Sequence, residues 1–239
     1  MRSVVFVIIL LSATRLSPST LREGIVVWNV GQGQWITMAE RDTCLHFDMG
    51  GEFFPWQQVK ALCAHRRNEV FLSHWDWDHI GALSQSKLRK TLPDLCLRIR
   101  PTGKAAQKKR QRLLASFPSC RPDPKDIFFW RPSQTKTSNE SSQIFFYKNV
   151  LMPGDSTKKQ ESIWSCQSWV PQTRVLILGH HGSKTSTSQD LVKRLSLLQM
   201  SISSARWKRY FHPHPEVLAR MKSARVPVLR TEDWGNIWL

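Results

Sequence analysis

The chain has 239 residues, 41% hydrophobic and 22% charged, which excludes a disordered polymer and supplies enough apolar material for a full core. Its charge is lopsided: 35 Lys and Arg stand against 18 Asp and Glu, a formal net charge of +17. Such an excess favours polyanionic partners, nucleic acid first and then anionic membrane or wall polymers.

The opening stretch "MRSVVFVIILLSATRLSPST" predicts an export signal over residues 1–20. Arg2 is a short positive region, residues 4–11 are an apolar run too short to span a membrane, and small residues follow. Residues 21–239 are expected to form one domain. From Gly24 the pattern predicts strands "IVVWNV" (25–30), "QWITMA" (34–39) and "TCLHF" (43–47), joined by hairpin turns. A helix is expected after Pro55, with Val59, Leu62 and Cys63 on its apolar face. Strand "EVFLS" (69–73) runs into "HWDWDH", and "IGALSQSKLRKTL" predicts one helix behind it. Residues 98–139 change texture: one basic helix, a strand at 127–130, and loops. Further strands are expected at "QIFFY", "NVLMPG" and "RVLILG", then helices "TSQDLVKRLSLL" and "HPEVLARMKSA" alternating with strands "QMSISS" and "VPVLR". Hairpins early and strand–helix alternation late predict a mixed α/β chain, with no internal repeat evident in the sequence. The five cysteines include no C-x-x-C pair, which argues against a cysteine zinc site; an exported chain could form one or two disulfides, whose pairing stays open.

Six of the eight histidines fall in three tight stretches: His74 and His79, His180 and His181, His212 and His214. Two of these stretches follow predicted strands directly, and a third strand, "NVLMPG", ends in Asp155. Strand ends of α/β sheets are where ligand-binding loops collect. In "HWDWDH" the two-apart spacing of His74, Asp76 and Asp78 alternates side chains, and His79 can turn to a neighbouring point. So many N and O donors crowded together call for a cation among them. The competing reading is a polar turn in which Asp78 caps the following helix. "LGHHGSKTSTS" places His180 after a buried-looking strand, then a Gly turn, then Ser183, Lys184, Thr185 and Ser186, groups suited to a phosphate. The cations Arg98, Arg100, Lys104, Lys108, Lys109, Arg110 and Arg112 read equally as a phosphate-tracking face or as a solvated helix. Of the 11 tryptophans, Trp75 and Trp77 could stack bases beside the metals, and most others are expected in the core.

Seven short motifs, "NVGQGQ", "LHFDMG", "LSHWDWDHIGAL", "PGD", "GHHGSKTSTS", "HPHPEVL" and "LRTEDWGNI", resemble in order the metallo-β-lactamase-like domain of ComEC-type competence proteins, over about residues 24–239. The resemblance implies an αββα sandwich of two mixed sheets flanked by helices, with two divalent cations, Zn²⁺ or Mn²⁺, at one edge. It implies that His74 and Asp76 bind one metal, that Asp78 and His79 lean to the second, that Asp155 bridges, and that His180 or His181 is the last His ligand. Asp76 stands where the wider superfamily usually has a His. Asp48 matches a residue that buttresses the site, and Gln32 in the "NVGQGQ" turn is expected to line it. The expected catalytic set is Asp78, His181, Lys184 and His212: Lys184 with Ser183 steadies a phosphate, and His181 or His212 protonates the leaving oxygen. The expectation is an exported metal-dependent phosphodiesterase acting on DNA. It has no membrane-spanning part beyond the signal, and a competence membrane channel is a candidate partner. A phosphoesterase on a non-nucleic polymer and a DNA-binding module with a degenerate site are the alternatives.

Overall fold

The computed structural model describes residues 23–103, 107–121, 127–133 and 135–239. The expected export segment at 1–20 and Lys104 lie outside the described residues. Two six-stranded sheets pack face to face. The first runs β12(Ile237–Trp238), β1(Gly24–Val27), β2(Trp35–Ala39), β3(Thr43–Met49), β4(Arg67–Phe71), β5(Leu95–Ile99). The second runs β11(Val228–Arg230), β10(Met200–Ser203), β9(Val175–Ile177), β8(Val150–Met152), β7(Ile144–Tyr147), β6(Phe128–Trp130).

Period-two alternation decides which layer each residue enters. Val27, Ile36, Phe47 and Phe71 from one sheet meet Phe145, Met152, Ile177 and Ile202 from the other in a central core. Their neighbours Val26, Trp35, Cys44 and Val70 face the opposite way, onto Val59 and Leu62 of α1(Trp56–Cys63), Leu88 of α3(Ser86–Thr91) and Leu114 of α4(Lys108–Ala115). On the far side, Phe146, Leu151 and Leu176 pack on Trp164 of α5(Lys158–Trp164), Leu191 of α6(Gln189–Arg194) and Val217 of α8(Pro215–Ser223). The result is the expected αββα sandwich. Among the described residues no helix is long and apolar enough to cross a membrane.

Two local expectations differ from the structure. The single helix expected after "HWDWDH" is three pieces: α2(Trp77–Ile80), a 3₁₀ turn Gly81–Ser84, and α3. The Ser84 hydroxyl donates back to the Gly81 carbonyl and Gln85 turns extended, which stops the first run. Strand β5 was hidden by its charge. Arg98 sits in the middle of "LCLRI", and its cost is met by an ion pair of 2.8 Å to the buried Glu69 on β4. Arg100 is likewise used internally, donating to the carbonyls of Leu114 and Phe117.

Cys44 pairs with Cys63, pinning β3 to α1, and Cys96 pairs with Cys120, pinning β5 to the segment after α4. With partners 19 and 24 positions apart in the chain, each bridge stabilises the fold by about 3 kcal/mol through the unfolded chain. Cys166 is free and exposed.

Sheet one carries a polar chain through its helix-facing side. Trp28 Nε1 donates to Thr37 Oγ1, Trp35 Nε1 donates to His46 Nδ1 at 3.2 Å, and His46 Nε2 meets Asn68 Oδ1 at 3.0 Å. Asn68 then donates to the carbonyls of Cys63 and Arg66. Burial pushes the His46 imidazole down to about 4, against the hydrogen bond it donates to Asn68 Oδ1, which works the other way. Between that value and the ordinary 6.5, the unfolded chain takes up a proton that the folded one refuses, so stability falls as pH drops through this window. The shift corresponds to about 3 kcal/mol. Denaturant midpoints of the wild type and His46→Gln should therefore differ most at neutral pH and converge towards pH ~4; a gap that does not change with pH would remove His46 as the cause.

Candidate metal centre

The ends of β3, β4, β8, β9 and β10 deliver the site. Asp48 comes from the end of β3 with a left-handed backbone (φ 54°). Ser73 and His74 follow β4, Asp155 follows β8, and His180 and His181 follow β9. The last two share an unusual conformation, φ 50° and 56°, a local cost of the kind that gathers at functional sites. Two glycines permit the crowding. A Cβ on Gly50 would lie 2.1 Å from the Asp78 carbonyl carbon, and one on Gly154 would lie 2.7 Å from the Ser73 Cβ.

The Asp residues of "HWDWDH" are not spent on capping. Asp76, not Asp78, occupies the N-cap of α2, and its side chain makes no cap hydrogen bond. Its Oδ1 instead accepts from Arg110 Nη1 at 2.9 Å, while its Oδ2 lies 3.5 Å from His74 Nε2. Arg110 comes from the basic helix α4, is buried, also donates to the Trp75 carbonyl, and stacks 5.3 Å from the Trp77 ring.

Asp155 is the hub, buried to 3% exposure. Its Oδ1 lies 3.0 Å from His79 Nε2 and 3.6 Å from His181 Nε2. Its Oδ2 lies 3.5 Å from His180 Nε2 and 3.8 Å from His74 Nε2. Four imidazoles thus turn the same nitrogen towards one carboxylate, and each is held from behind through Nδ1. Asp48 Oδ2 holds His79 at 2.7 Å, the Ser204 carbonyl holds His181 at 3.0 Å, Ser73 Oγ holds His74 at 2.9 Å and Thr185 Oγ1 holds His180 at 3.2 Å. Asp48 itself accepts from the Ser73 amide, the Ser73 hydroxyl and Gln34 Nε2. Carboxylate-backed imidazoles of this kind fix the ring and raise its basicity as a metal ligand.

The donors fall into two groups that share Asp155. Asp78, His79, Asp155 and His181 bring one atom each within 4.8 Å of one another, and His181 Nε2 lies 3.2 Å from Asp78 Oδ2. His74 and His180 face the other oxygen of Asp155, and Asp76 Oδ2 lies 3.5 Å from His74 Nε2. His74 Nε2 and Asp155 Oδ1 are fully buried yet have no partner in hydrogen-bond geometry. Unpaired buried polar atoms are costly, and lone pairs converging on a shared point are what a cation would satisfy. The donor set therefore fits divalent metal.

Electrostatics point the same way. Burial alone would lower His79, but Asp155 and Asp48 overrule it and raise its imidazole well above the ordinary range. His181 is raised against burial by Asp155 and Asp78. Burial would raise Asp155 and Asp78, yet the surrounding imidazoles hold both carboxyls well below the usual carboxylate range. Without a cation, protons on the imidazoles balance the carboxylates.

The cavity in front of this cluster measures about 620 Å³ and is lined by Gln32, Trp77, Asp78, His180, His181 and His212, among others. Gln32 bridges His212 Nδ1, at 3.5 Å, and the Arg206 amide, at 3.2 Å. Burial, with His181 and His180 nearby, pushes His212 down to about 4, so at neutral pH it is an uncharged imidazole. Ser183 is engaged with Thr185 within its own turn, Lys184 is exposed, and neither lines the cavity. Trp75 is buried and donates to the Thr102 carbonyl, whereas Trp77 reaches the cavity. Sequence reasoning passed over Ser73, Thr185 and Ser204 as supports, and treated Arg110 only as one of a basic run. Helical phase was the available signal for Arg110, since it shares the buried side of α4 with Leu114, four residues on.

No family model matches the chain. Over 230 residues it is 26% identical to competence protein ComA of Neisseria gonorrhoeae, covering 89% of this chain and 31% of that protein. It is 29% identical over 210 residues to ComE operon protein 3 of Bacillus subtilis, covering 80% and 26%. The metallo-β-lactamase fold protein YhfI from Bacillus subtilis superposes with a TM-score of 0.57 at 14% identity, covering 91% of this chain and 100% of that one. The fold is that of a metallo-β-lactamase. The ComEC-type resemblance read from the motifs extends over most of this metallo-β-lactamase-like domain, which spans about three-tenths of the length of the curated relatives it matches.

Since His79 holds a proton in the metal-free site, metal entry must displace it, and affinity should rise with pH. Calorimetric titration with Mn²⁺ or Zn²⁺ in buffers of differing ionisation heat should detect proton release. Saturating metal should also raise the melting temperature, by the equivalent of about 2.7 kcal/mol at a hundredfold excess over Kd. Asp155→Ala should abolish both responses.

Proposed function

We propose that this metallo-β-lactamase-like domain is a metal-dependent phosphodiesterase that cleaves DNA. The observation that carries the reading is Asp155, whose Oδ1 faces His79 and His181 and whose Oδ2 faces His74 and His180. His74, Asp76 and His180 would hold one divalent cation, Asp78, His79 and His181 the other, and Asp155 would touch both. Bound Zn²⁺ or Mn²⁺ would polarise a phosphoryl oxygen and lower the pKa of water.

The chain's own residues do the rest. Asp48 and Ser204 fix the His79 and His181 rings. Arg110 turns Asp76 so that one oxygen faces His74 and neutralises part of the carboxylate charge. Gln32 and the uncharged His212 line the open side, where a phosphodiester would enter, and offer it hydrogen bonds. The net charge of +17 draws a polyanion towards that mouth. Two disulfides support an oxidising compartment, in keeping with export.

The test is cleavage of single- and double-stranded DNA by the purified domain with Mn²⁺ and with Zn²⁺. His74→Ala and Asp155→Ala should fall to background, and Asp48→Asn should lose roughly 10–100-fold. No cleavage under either metal, or undiminished cleavage by the His74 and Asp155 variants, overturns the reading.

A further inference from the structure

Seven large aromatic side chains are exposed among the described residues, and four of them, Phe53, Tyr210, Phe211 and Trp234, stand on a ridge of segments that Glu52 and Glu232 tie together beside the metal cavity. The ridge is built on residues 206–211, Arg-Trp-Lys-Arg-Tyr-Phe, which leave β10 and form α7(Trp207–Tyr210). Tyr210 itself lines the cavity, and His212, just beyond the segment, lines it too. Glu52 binds Arg206 at 3.1 Å and Arg209 at 2.7 Å, which ties Phe53, the residue after Glu52, to the same side. Glu232 accepts from the Trp207 amide at 2.8 Å and brings in α9(Thr231–Trp234), whose last residue, Trp234, is 71% exposed. Phe211, 64% exposed, stands edge-to-face on Trp207, and the Arg209 guanidinium lies 5.2 Å from the Tyr210 ring.

Leaving large aromatic rings in water forgoes burial that each could contribute elsewhere. Residues 206–211 interleave three aromatic rings with Arg206, Lys208 and Arg209; Glu52 pairs both arginines, Lys208 and Arg209 are exposed, and cations set among flat rings are an arrangement that takes a charged backbone together with its bases. Duplex bases are already stacked on one another, so free aromatic faces have nothing to take from them. Unpaired bases do. We infer that this ridge is a stacking platform for single-stranded nucleic acid, which leads an unpaired strand into the metal cavity past Tyr210. The inference deepens the phosphodiesterase reading by naming its substrate class, and it rests on that reading for what happens after binding.

The experiment reads binding alone. Anisotropy of a labelled dT oligonucleotide of about 16 residues is measured with the full chain in EDTA, beside a duplex of equal length. The single strand should bind roughly tenfold tighter than the duplex, and Phe211→Ala/Trp234→Ala should lose roughly tenfold or more in single-strand affinity. Its thermal midpoint should match the wild type, because both rings are exposed. Equal affinity for duplex and single strand, or an unchanged Kd in the double variant, overturns the platform. So does aromatic-dependent binding to phosphatidylglycerol vesicles with no oligonucleotide binding, which would make the ridge a membrane surface. Because EDTA removes cleavage, failure to cut DNA with metal would fall on the nuclease reading and leave this result standing.

Discussion

The structure turns on one buried carboxylate. Asp155 sits between four imidazole Nε2 atoms at 3.0 to 3.8 Å, in a place where an isolated charge would be prohibitively costly. Everything around it serves to make that charge tolerable and useful. The four rings are each held through their other nitrogen, which sets their orientation towards Asp155. Asp48 ties the sets together, gripping His79 directly and His74 through Ser73. The neighbouring carboxylates raise the proton affinity of His79 and His181 against the effect of burial. The same geometry that makes those imidazoles basic makes them good ligands, so proton and metal compete for one set of lone pairs.

Placing five loops on one point demands a scaffold, and the two sheets provide it through a repeated topology. In sheet one, β1, β2 and β3 pair antiparallel and β3, β4 and β5 pair parallel. In sheet two, β6, β7 and β8 pair antiparallel and β8, β9 and β10 pair parallel. The third strand of each set brings an aspartate, Asp48 near the end of β3 or Asp155 just after β8, and the fourth leads to histidine, His74 or the His180–His181 pair. No repeat is visible in the residues because the pattern needs only alternation and strand order to recur. The halves diverge in use: Asp155 faces the donor groups, while Asp48 stands behind them.

What the sequence made legible follows the same division. Alternating strands and the order hairpins-then-crossovers were readable because period two and turn residues act locally. The histidines and aspartates at strand ends were readable because such residue types are unusual immediately after an apolar strand. Strand β5 was not, since Arg98 breaks its apolar pattern and only Glu69, on a distant stretch of chain, explains why it can be there. The cysteine pairs were equally closed to inspection, because partners 19 and 24 residues apart are joined by tertiary packing. His180 and His181 could be named as alternatives for one role. Only the left-handed backbone at both shows why adjacent residues can point Nε2 at opposite oxygens of one carboxylate.

The basic texture of the chain has a similar split between what composition suggests and what geometry assigns. In the run of cations from Arg98 to Arg112, Arg98, Arg100 and Arg110 are consumed inside the fold, by Glu69, by helix-end carbonyls and by Asp76. Lys108, Lys109 and Arg112 stay exposed. Arg110 is the informative one. Placing a carboxylate at Asp76 adds negative charge to a site already holding Asp78, Asp155 and Asp48, and a buried guanidinium bonded to Asp76 is a direct compensation. The helix that reads as a nucleic-acid face therefore reaches inward to the metal centre, while Lys208 and Arg209, next to the cavity-lining Tyr210 in the chain, are exposed. The cations consumed inside the fold and the cations left on its surface are separate populations here, and only the second is open to solvent and sensitive to salt.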